Sequence, residues 1–243
     1  MKLTTLGSSS AGNCYLLQGE RETLIVECGI RPTHVKKALN FDFSAVVGAV
    51  VSHAHNDHAG YVRDFVKLGI PVLGLDHTLT AKNVVYSPFA KTIVPERGYK
   101  LGGFRIIPFE LEHDIPCVGF YINHPEMGNL LFVTDTCIVR HRFDNLNHIL
   151  IEANYDDEVL EDNIRRGSMP GVMRPRLLKS HMELDSVKAV LLAQDLTNVH
   201  NVVLLHLSGN NASARQCVAE VTATMGVPVH VASKGFEMEL INP

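Results

Sequence analysis

The sequence contains no apolar run that approaches the roughly 20 residues needed to cross a bilayer. Residues 1–7 also lack the apolar core of a secretory signal peptide. The sequence therefore predicts a protein without membrane contact, and the cytoplasm is its expected compartment.

The chain has few cysteines, and their spacing does not indicate disulfide pairs. The chain has five cysteines, an odd number, and none of them forms a C-x-x-C motif. This pattern argues against a disulfide framework and a zinc knuckle, and it predicts reduced, mostly buried thiols.

The chain also lacks an excess of basic charge, repeats, linkers and low-complexity segments. Charged residues make up 20% of the sequence against 46% hydrophobic residues, which excludes a disordered chain. The net charge is -4, so a polyanion would have to be attracted by a local basic patch. A length of 243 residues is compatible with one layered α/β unit, and we expect a single domain over residues 1–243.

The most informative stretch is an apolar run at residues 46–51 that breaks into a polar cluster. The run is rich in valine, as is typical of a strand covered on both faces. His53 and His55 follow it at a spacing that puts both on one side of an extended chain, and Asp57 and His58 come next. Four such side chains are costly to bury without a partner, so the H-x-H-x-D-H pattern favours a metal site over a polar loop with chance histidines.

Further polar candidates follow other predicted strands. His113, Asp135 and His206 each come directly after an apolar segment. Each alone would be an ordinary polar residue in a loop, but catalytic groups of layered α/β folds gather where strands end. Two metals need roughly six or seven protein ligands with a carboxylate between them. The three residues complete that number, with Asp135 as the bridge.

Short apolar and alternating segments predict strands, and helical spacing predicts helices. We expect strands at residues 3–6, 14–17, 23–27, 46–51, 72–75, 104–109, 117–122, 129–134, 149–151, 199–205, 227–232 and 236–241. We expect helices at residues 31–39, 58–68, 156–166, 186–196 and 213–225, and a further helix capped by Asp76.

The ligand pattern, followed by His113, Asp135 and His206, resembles the metallo-β-lactamase superfamily. Residues 7–13, 134–136, 152–156 and 206–211 make the whole chain similar to its YycJ/WalJ-type hydrolases. This resemblance implies an αββα sandwich with a dimetal site at one edge, and nuclease activity on DNA. The chain also resembles the tRNase Z group, in which a glutamate supports a histidine before a helix; the matching residues are Glu152 and His181.

The resemblance and the residue chemistry together predict the roles of the site residues. His53, His55 and His113 should hold one divalent cation and Asp57, His58 and His206 the other, with Asp135 between them. His181 should be a general acid oriented by Glu152, with Asp57 also catalytic, and the spacing of residues 180–183 predicts a capping box that puts His181 at a helix start. The residues expected to bind substrate are Ser9, Asn13, Arg174, Arg176, Ser208, Asn210 and Asn211. The small residues at 7–13 are also suited to an anion nest, although such turns are common without one.

The expected chemistry is phosphoester hydrolysis. Asp135 stands where dizinc β-lactamases commonly have cysteine, so both positions can hold oxygen-preferring metals such as manganese as well as zinc. Two such cations can generate hydroxide near neutral pH and clamp a phosphoryl group. The segment 165–179 contains five basic residues and no acidic ones, and glycine and proline predict an irregular loop there that could position phosphates.

We therefore predict a metal-dependent phosphodiesterase, most simply a nuclease or exonuclease acting on DNA. A cyclic-nucleotide phosphodiesterase is the nearest alternative, followed by a glyoxalase II-like thioesterase and a non-catalytic binding module. A nucleic acid or nucleotide phosphodiester is the expected partner, and a homo-oligomer is compatible with the sequence. Two departures from the family pattern stand out: residues 182–185 replace a small polar run, and Glu27 replaces an aspartate that usually braces the metal loop.

Overall fold

The computed structural model describes residues 1–242, apart from the side chain of Met173. The strands in that range are β1 Lys2–Gly7, β2 Cys14–Gln18, β3 Thr23–Val26, β4 Val46–Val50, β5 Val72–Leu75, β6 Ala90–Ile93, β7 Tyr99–Leu101, β8 Phe104–Leu111, β9 Cys117–His124, β10 Gly128–Val133, β11 His148–Glu152, β12 Asn201–Leu205, β13 Val229–Val231 and β14 Glu237–Glu239. The α-helices are α1 Pro32–Ala38, α2 Asn56–Ala59, α3 Val62–Lys67, α4 Asp76–Ala81, α5 Asp157–Arg165, α6 Arg174–Ser180, α7 Leu184–Leu192 and α8 Ala214–Met225, with a 3-10 turn at Gly171–Met173.

The strands form two seven-stranded sheets. The first has the order β14-β1-β2-β3-β4-β5-β6, and the second has the order β13-β12-β11-β10-β9-β8-β7. No helix in residues 1–242 has the length and apolar character required to span a bilayer.

The two sheets pack face to face between layers of helices, as the alternating burial of their side chains shows. In β3, Leu24 and Val26 face a core shared with the second sheet, whereas Ile25 packs with apolar residues of α1, α3 and α4. In β12, Val203 faces the shared core and Val202 packs with residues of α7 and α8. Because strand side chains alternate between faces, each sheet separates a central core from an outer helical core. The predicted αββα sandwich is confirmed.

Every predicted strand is present with small shifts at its ends, and β6 and β7 are additional. The predicted helix at 58–68 is wrong as one element, because the chain bends between α2 and α3. There the Cys28 amide donates to the His58 carbonyl and the Tyr61 amide donates to the Cys28 carbonyl. These bonds tie the bend to the chain after β3. Asp76 is the first residue of α4 rather than its cap, which is Leu75.

The predicted irregular loop at 165–179 is also wrong in its second half, since residues 174–180 form α6. Pro175 does not prevent this helix, because proline is tolerated in the first turn, where its missing N–H would have no helical acceptor.

The strand directions explain where the polar residues meet. Strands β10, β11 and β12 are parallel, and β8 runs in the same direction because β9 is antiparallel to both β8 and β10. Their carboxyl ends therefore lie at one edge of the second sheet, where His113, Asp135, Glu152 and His206 follow or end β8, β10, β11 and β12.

Candidate active site

The first cluster of candidate metal ligands joins the two sheets. His53 Nε2 lies 3.1 Å from His55 Nδ1, and His113 Nε2 lies 3.3 Å from the same atom. Asp135 Oδ2 lies 3.8 Å from His53 Nε2. One ligand atom from each of these residues lies within 4.8 Å of all the others, so the four can surround one cation.

The second cluster shares Asp135 with the first. His58 Nε2 lies 3.3 Å from Asp135 Oδ1 and 3.5 Å from Asp57 Oδ2. His206 Nε2 also lies 3.5 Å from Asp57 Oδ2. The structure thus brings together all seven sequence-predicted metal ligands as two groups that meet at one carboxylate.

The donor set suits a pair of divalent cations. Among the described residues the buried His206 Nε2 has no hydrogen-bond partner, although an imidazole nitrogen in this position normally needs one. Burial lowers the pKa of His206, but the charge of Asp135 and the contact with Asp57 outweigh that effect and raise the pKa to about 10. The surrounding negative charge therefore favours cations strongly, and imidazole and carboxylate donors accept both zinc and manganese.

A third group lies beside the second cluster. His181 Nδ1 lies 2.6 Å from Glu152 Oε1, and His206 Nδ1 lies 3.3 Å from the same oxygen. Asn154 Nδ2 donates to the His206 carbonyl oxygen over 3.1 Å, and it also lies 3.0 Å from His206 Nδ1. Glu152 therefore orients His181 and His206 together. Asn154 is a supporting residue that the sequence reasoning missed, although it lies in the 152–156 motif.

The prediction that His181 begins a helix is wrong. Ser180 is the last residue of α6, and its hydroxyl donates to the Arg176 carbonyl. Glu183, instead of Ser180, caps α7, where its carboxylate accepts from the amides of Asp185 and Ser186. His181 thus lies just beyond the carbonyl end of α6, where a helix favours positive charge.

Glu27 reaches the metal loop despite its departure from the family pattern. Its backbone has a positive φ of 69°, and its two carboxylate oxygens lie 3.3 and 3.4 Å from the donating Ser52 amide. Oε1 is also 3.4 Å from His58 Nδ1. Nearby, a Cβ on Gly29 would lie 1.7 Å from the Asp57 carbonyl oxygen, so only glycine allows this close approach.

This contact predicts that Glu27 orients His58. Glu27→Gln should lower the affinity for the second cation by about 10–100-fold, because it removes the charge that holds the imidazole. Titration of metal-free protein with zinc or manganese would measure the effect, with the exposed Glu110→Gln as a control. Unchanged affinity in a folded Glu27→Gln protein would contradict the role.

The clusters open into a cavity of about 290 Å³. Its lining residues are Ser10, His55, Asn56, Asp57, His113, Asp114, Asp135, Arg176, Ser180, His181 and His206. Ser10 and Asp114 were not predicted as site residues. Asp114 Oδ1 lies 3.0 Å from His113 Nε2 and 3.4 Å from His55 Nε2, and its only sequence signal is its place beside His113.

The loop before β2 supports the second cluster. Asn13 is buried, and its Nδ2 lies 3.0 Å from His58 Nε2. Ser9 acts within the loop, since its carbonyl accepts from the Gly12 amide and its hydroxyl from the Ala11 amide. The amides of Ala11 and Gly12 are thus engaged within the loop, which braces it, and the anion nest and the substrate contacts of Ser9 and Asn13 stay predictions.

The structure separates the two arginines that were predicted to bind substrate. Arg176 lines the active-site cavity. Arg174 points to α5 instead, where its guanidinium donates to Asp157 over 2.9 and 3.0 Å and to Glu161 over 3.3 Å. Arg174 is therefore placed to hold α6 against α5.

The residues of the 206–211 motif also lie in different parts of the structure. The Ser208 amide donates to the Asn154 carbonyl, which supports the site from behind. Asn210 and Asn211 line a different cavity of about 480 Å³, and both accept hydrogen bonds from the Asn163 side chain. Neither lines the cavity that contains the ligand clusters.

Part of the chain matches the model of a known protein family. Residues 9–86 match the family model of the metallo-beta-lactamase superfamily, which confirms the resemblance inferred from the sequence. The chain is therefore similar to this superfamily in its fold and in the arrangement of its candidate metal ligands.

Among particular relatives, the chain is similar to exodeoxyribonuclease WalJ of Streptococcus pneumoniae, strains D39 and R6. This chain and WalJ are 25% identical over 226 residues, which cover 86% of this chain and 82% of WalJ.

Solved structures share the fold at lower identity. YhfI from Bacillus subtilis has a TM-score of 0.72 and 18% identity, with 98% of this chain and 99% of that chain covered. A diphosphatase of the PhnP family has a TM-score of 0.67 and 16% identity, with 99% and 98% covered. The short form of human tRNase Z has a TM-score of 0.62 and 15% identity, with both chains covered completely, at 100%.

Proposed function

We propose that the protein is a metal-dependent phosphodiesterase that acts as a nuclease on DNA. The observation that carries this proposal is the placement of two ligand groups around Asp135 beside an Arg176 guanidinium and a His181–Glu152 pair. Divalent cations held by the two ligand groups around Asp135 would supply charge stabilisation for in-line displacement at phosphorus and would make water nucleophilic near neutral pH. Similarity to exodeoxyribonuclease WalJ supports DNA as the substrate.

The chain's own residues have distinct tasks in this reaction. Arg176 binds a phosphate oxygen, since a guanidinium matches that group geometrically. Asp57, which is partly exposed to the cavity, accepts a hydrogen bond from the attacking water and turns it toward phosphorus. As the bond from phosphorus to the leaving oxygen breaks, His181 gives that oxygen a proton from Nε2, because its Nδ1 is held by Glu152.

The shape of the site favours a chain substrate over a cyclic nucleotide. A cyclic nucleotide would need a pocket closed around one nucleotide, whereas a nuclease needs an open groove. The active-site cavity shares His113 and Asp114 with a neighbouring cavity of about 570 Å³, so the space continues beyond one phosphate.

A substrate panel tests the proposed function. Labelled DNA, RNA, cyclic nucleotides and a glutathione thioester are assayed with manganese and with zinc. Hydrolysis of DNA above the other substrates is expected. Preference for a cyclic nucleotide or the thioester would replace the proposal with that activity, and no turnover of any substrate by protein with full metal content would favour a binding module.

The two arginines of α6 should respond differently to substitution. Arg176→Ala should raise the KM for DNA by about 10-fold and reduce the salt dependence of binding by roughly one phosphate contact. Arg174→Ala should leave KM nearly unchanged and lower the melting temperature, because it breaks the contacts with α5. Steady-state kinetics at several salt concentrations and thermal denaturation provide both readouts. A larger KM effect from Arg174→Ala than from Arg176→Ala would contradict the assignment.

A further inference from the structure

Most of the basic residues at 165–179 are already paired. Arg165 and Arg166 contact Asp162, and Arg174 contacts α5. Within residues 1–242, Arg176 and Lys179 take part in no ion pair. Both are exposed on α6, so they are the members of this segment whose charge is available to a ligand.

Lys179 lines the cavity of about 570 Å³ beside the active site. The cavity contains two carboxylates, and one of them has a permanently charged partner. Glu112 is paired with Arg140 at 2.5 Å, and Asp114 faces His113 at 3.0 Å. Lys179 is the only lysine or arginine that lines this cavity, and its ammonium is in no ion pair within the described residues.

A second cavity that borders the active site is more acidic. This cavity of about 340 Å³ is lined by Asp157, Glu183 and Asp185, and it shares His181 with the active site. Arg174 offsets the charge of Asp157 and Lys188 offsets that of Asp185, but the Glu183 carboxylate has no cationic partner within residues 1–242. A phosphate beside the active site would therefore face an unpaired carboxylate, Glu183, in this cavity and an unpaired ammonium in the Lys179 cavity.

We propose that the Lys179 cavity is a subsite for the phosphate adjacent to the one that is cleaved. The inference rests on the proposed phosphodiesterase function and narrows its substrate class to nucleotide chains with at least two phosphates. Such a chain runs from Arg176 past His113 and Asp114 to Lys179, with the acidic cavity left free of phosphate.

The length of the substrate tests this subsite. A dinucleoside monophosphate offers only the scissile phosphate, whereas a trinucleoside diphosphate also reaches Lys179. Lys179→Ala should raise the KM of the trinucleotide by about 3–10-fold, with less than a twofold effect on the dinucleotide. For the trinucleotide it should also reduce the slope of log affinity against log salt concentration by about 0.7. Lys179→Arg should restore the KM, and the exposed Lys100→Ala on β7 serves as a matched control.

Equal effects of Lys179→Ala on both substrates, or no effect on either, would overturn the subsite while the wild-type activity leaves the proposed function standing. A wild-type protein with full metal content that hydrolyses neither substrate would instead overturn the phosphodiesterase function, and the subsite with it.

Discussion

Replacement of Asp135 by asparagine should reduce metal content from about two ions per chain to at most one and lower phosphodiester hydrolysis by about 10³-fold. Asp135 is the carboxylate that both ligand clusters share. It is almost completely buried, and its side chain is held by a hydrogen bond from Thr134. An amide keeps the size of this group but removes the negative charge that two cations would share.

Elemental analysis after reconstitution with zinc or manganese measures the stoichiometry, and turnover is measured on the same samples. The exposed Asp144→Asn is the matched control and should keep both ions. Thermal denaturation shows whether the Asp135→Asn protein folds. At most one ion in the wild-type protein with full activity would exclude a mechanism that needs two.

Local sequence was sufficient for the first half of the metal site. His53, His55, Asp57 and His58 lie within six residues, so their proximity follows from chain connectivity alone. His113, Asp135 and His206 are far apart in sequence, but each follows a strand that the hydrophobic pattern predicts. Because these strands run in one direction, their ends meet, and strand recognition was enough to group the residues.

The segment around α6 could not be predicted in the same way. Glycine and proline suggested a loop there, and in a loop Arg174 and Arg176 could both face the substrate. In a helix, residues two apart are separated by roughly 200°, so the two arginines point in nearly opposite directions. One therefore lines the active site while the other pairs with acids of α5. The start of α7 was misplaced because Ser180 and Glu183 are both suitable caps, and tertiary packing selects Glu183.

The corrected position of His181 strengthens the case for a general acid. Burial lowers the pKa of this imidazole, but the Glu152 carboxylate at 2.6 Å outweighs burial and raises the pKa above its ordinary value. The carbonyl end of α6 acts in the same direction, whereas a helix start would have opposed it. Both contacts favour the protonated ring that proton donation requires.

His181→Ala should therefore lower turnover of a DNA phosphodiester by about 10²–10⁴-fold while both metals remain bound. A nucleotide alkoxide needs a proton as it departs, but a nitrophenolate does not, so the loss on a nitrophenyl phosphodiester should be much smaller. Both substrates are compared in one preparation, with elemental analysis and with the exposed His34→Ala as a matched control. Equal losses on the two esters, or a fall in metal content that parallels activity, would make His181 a ligand or a scaffold residue, and the proton would have to come from another group.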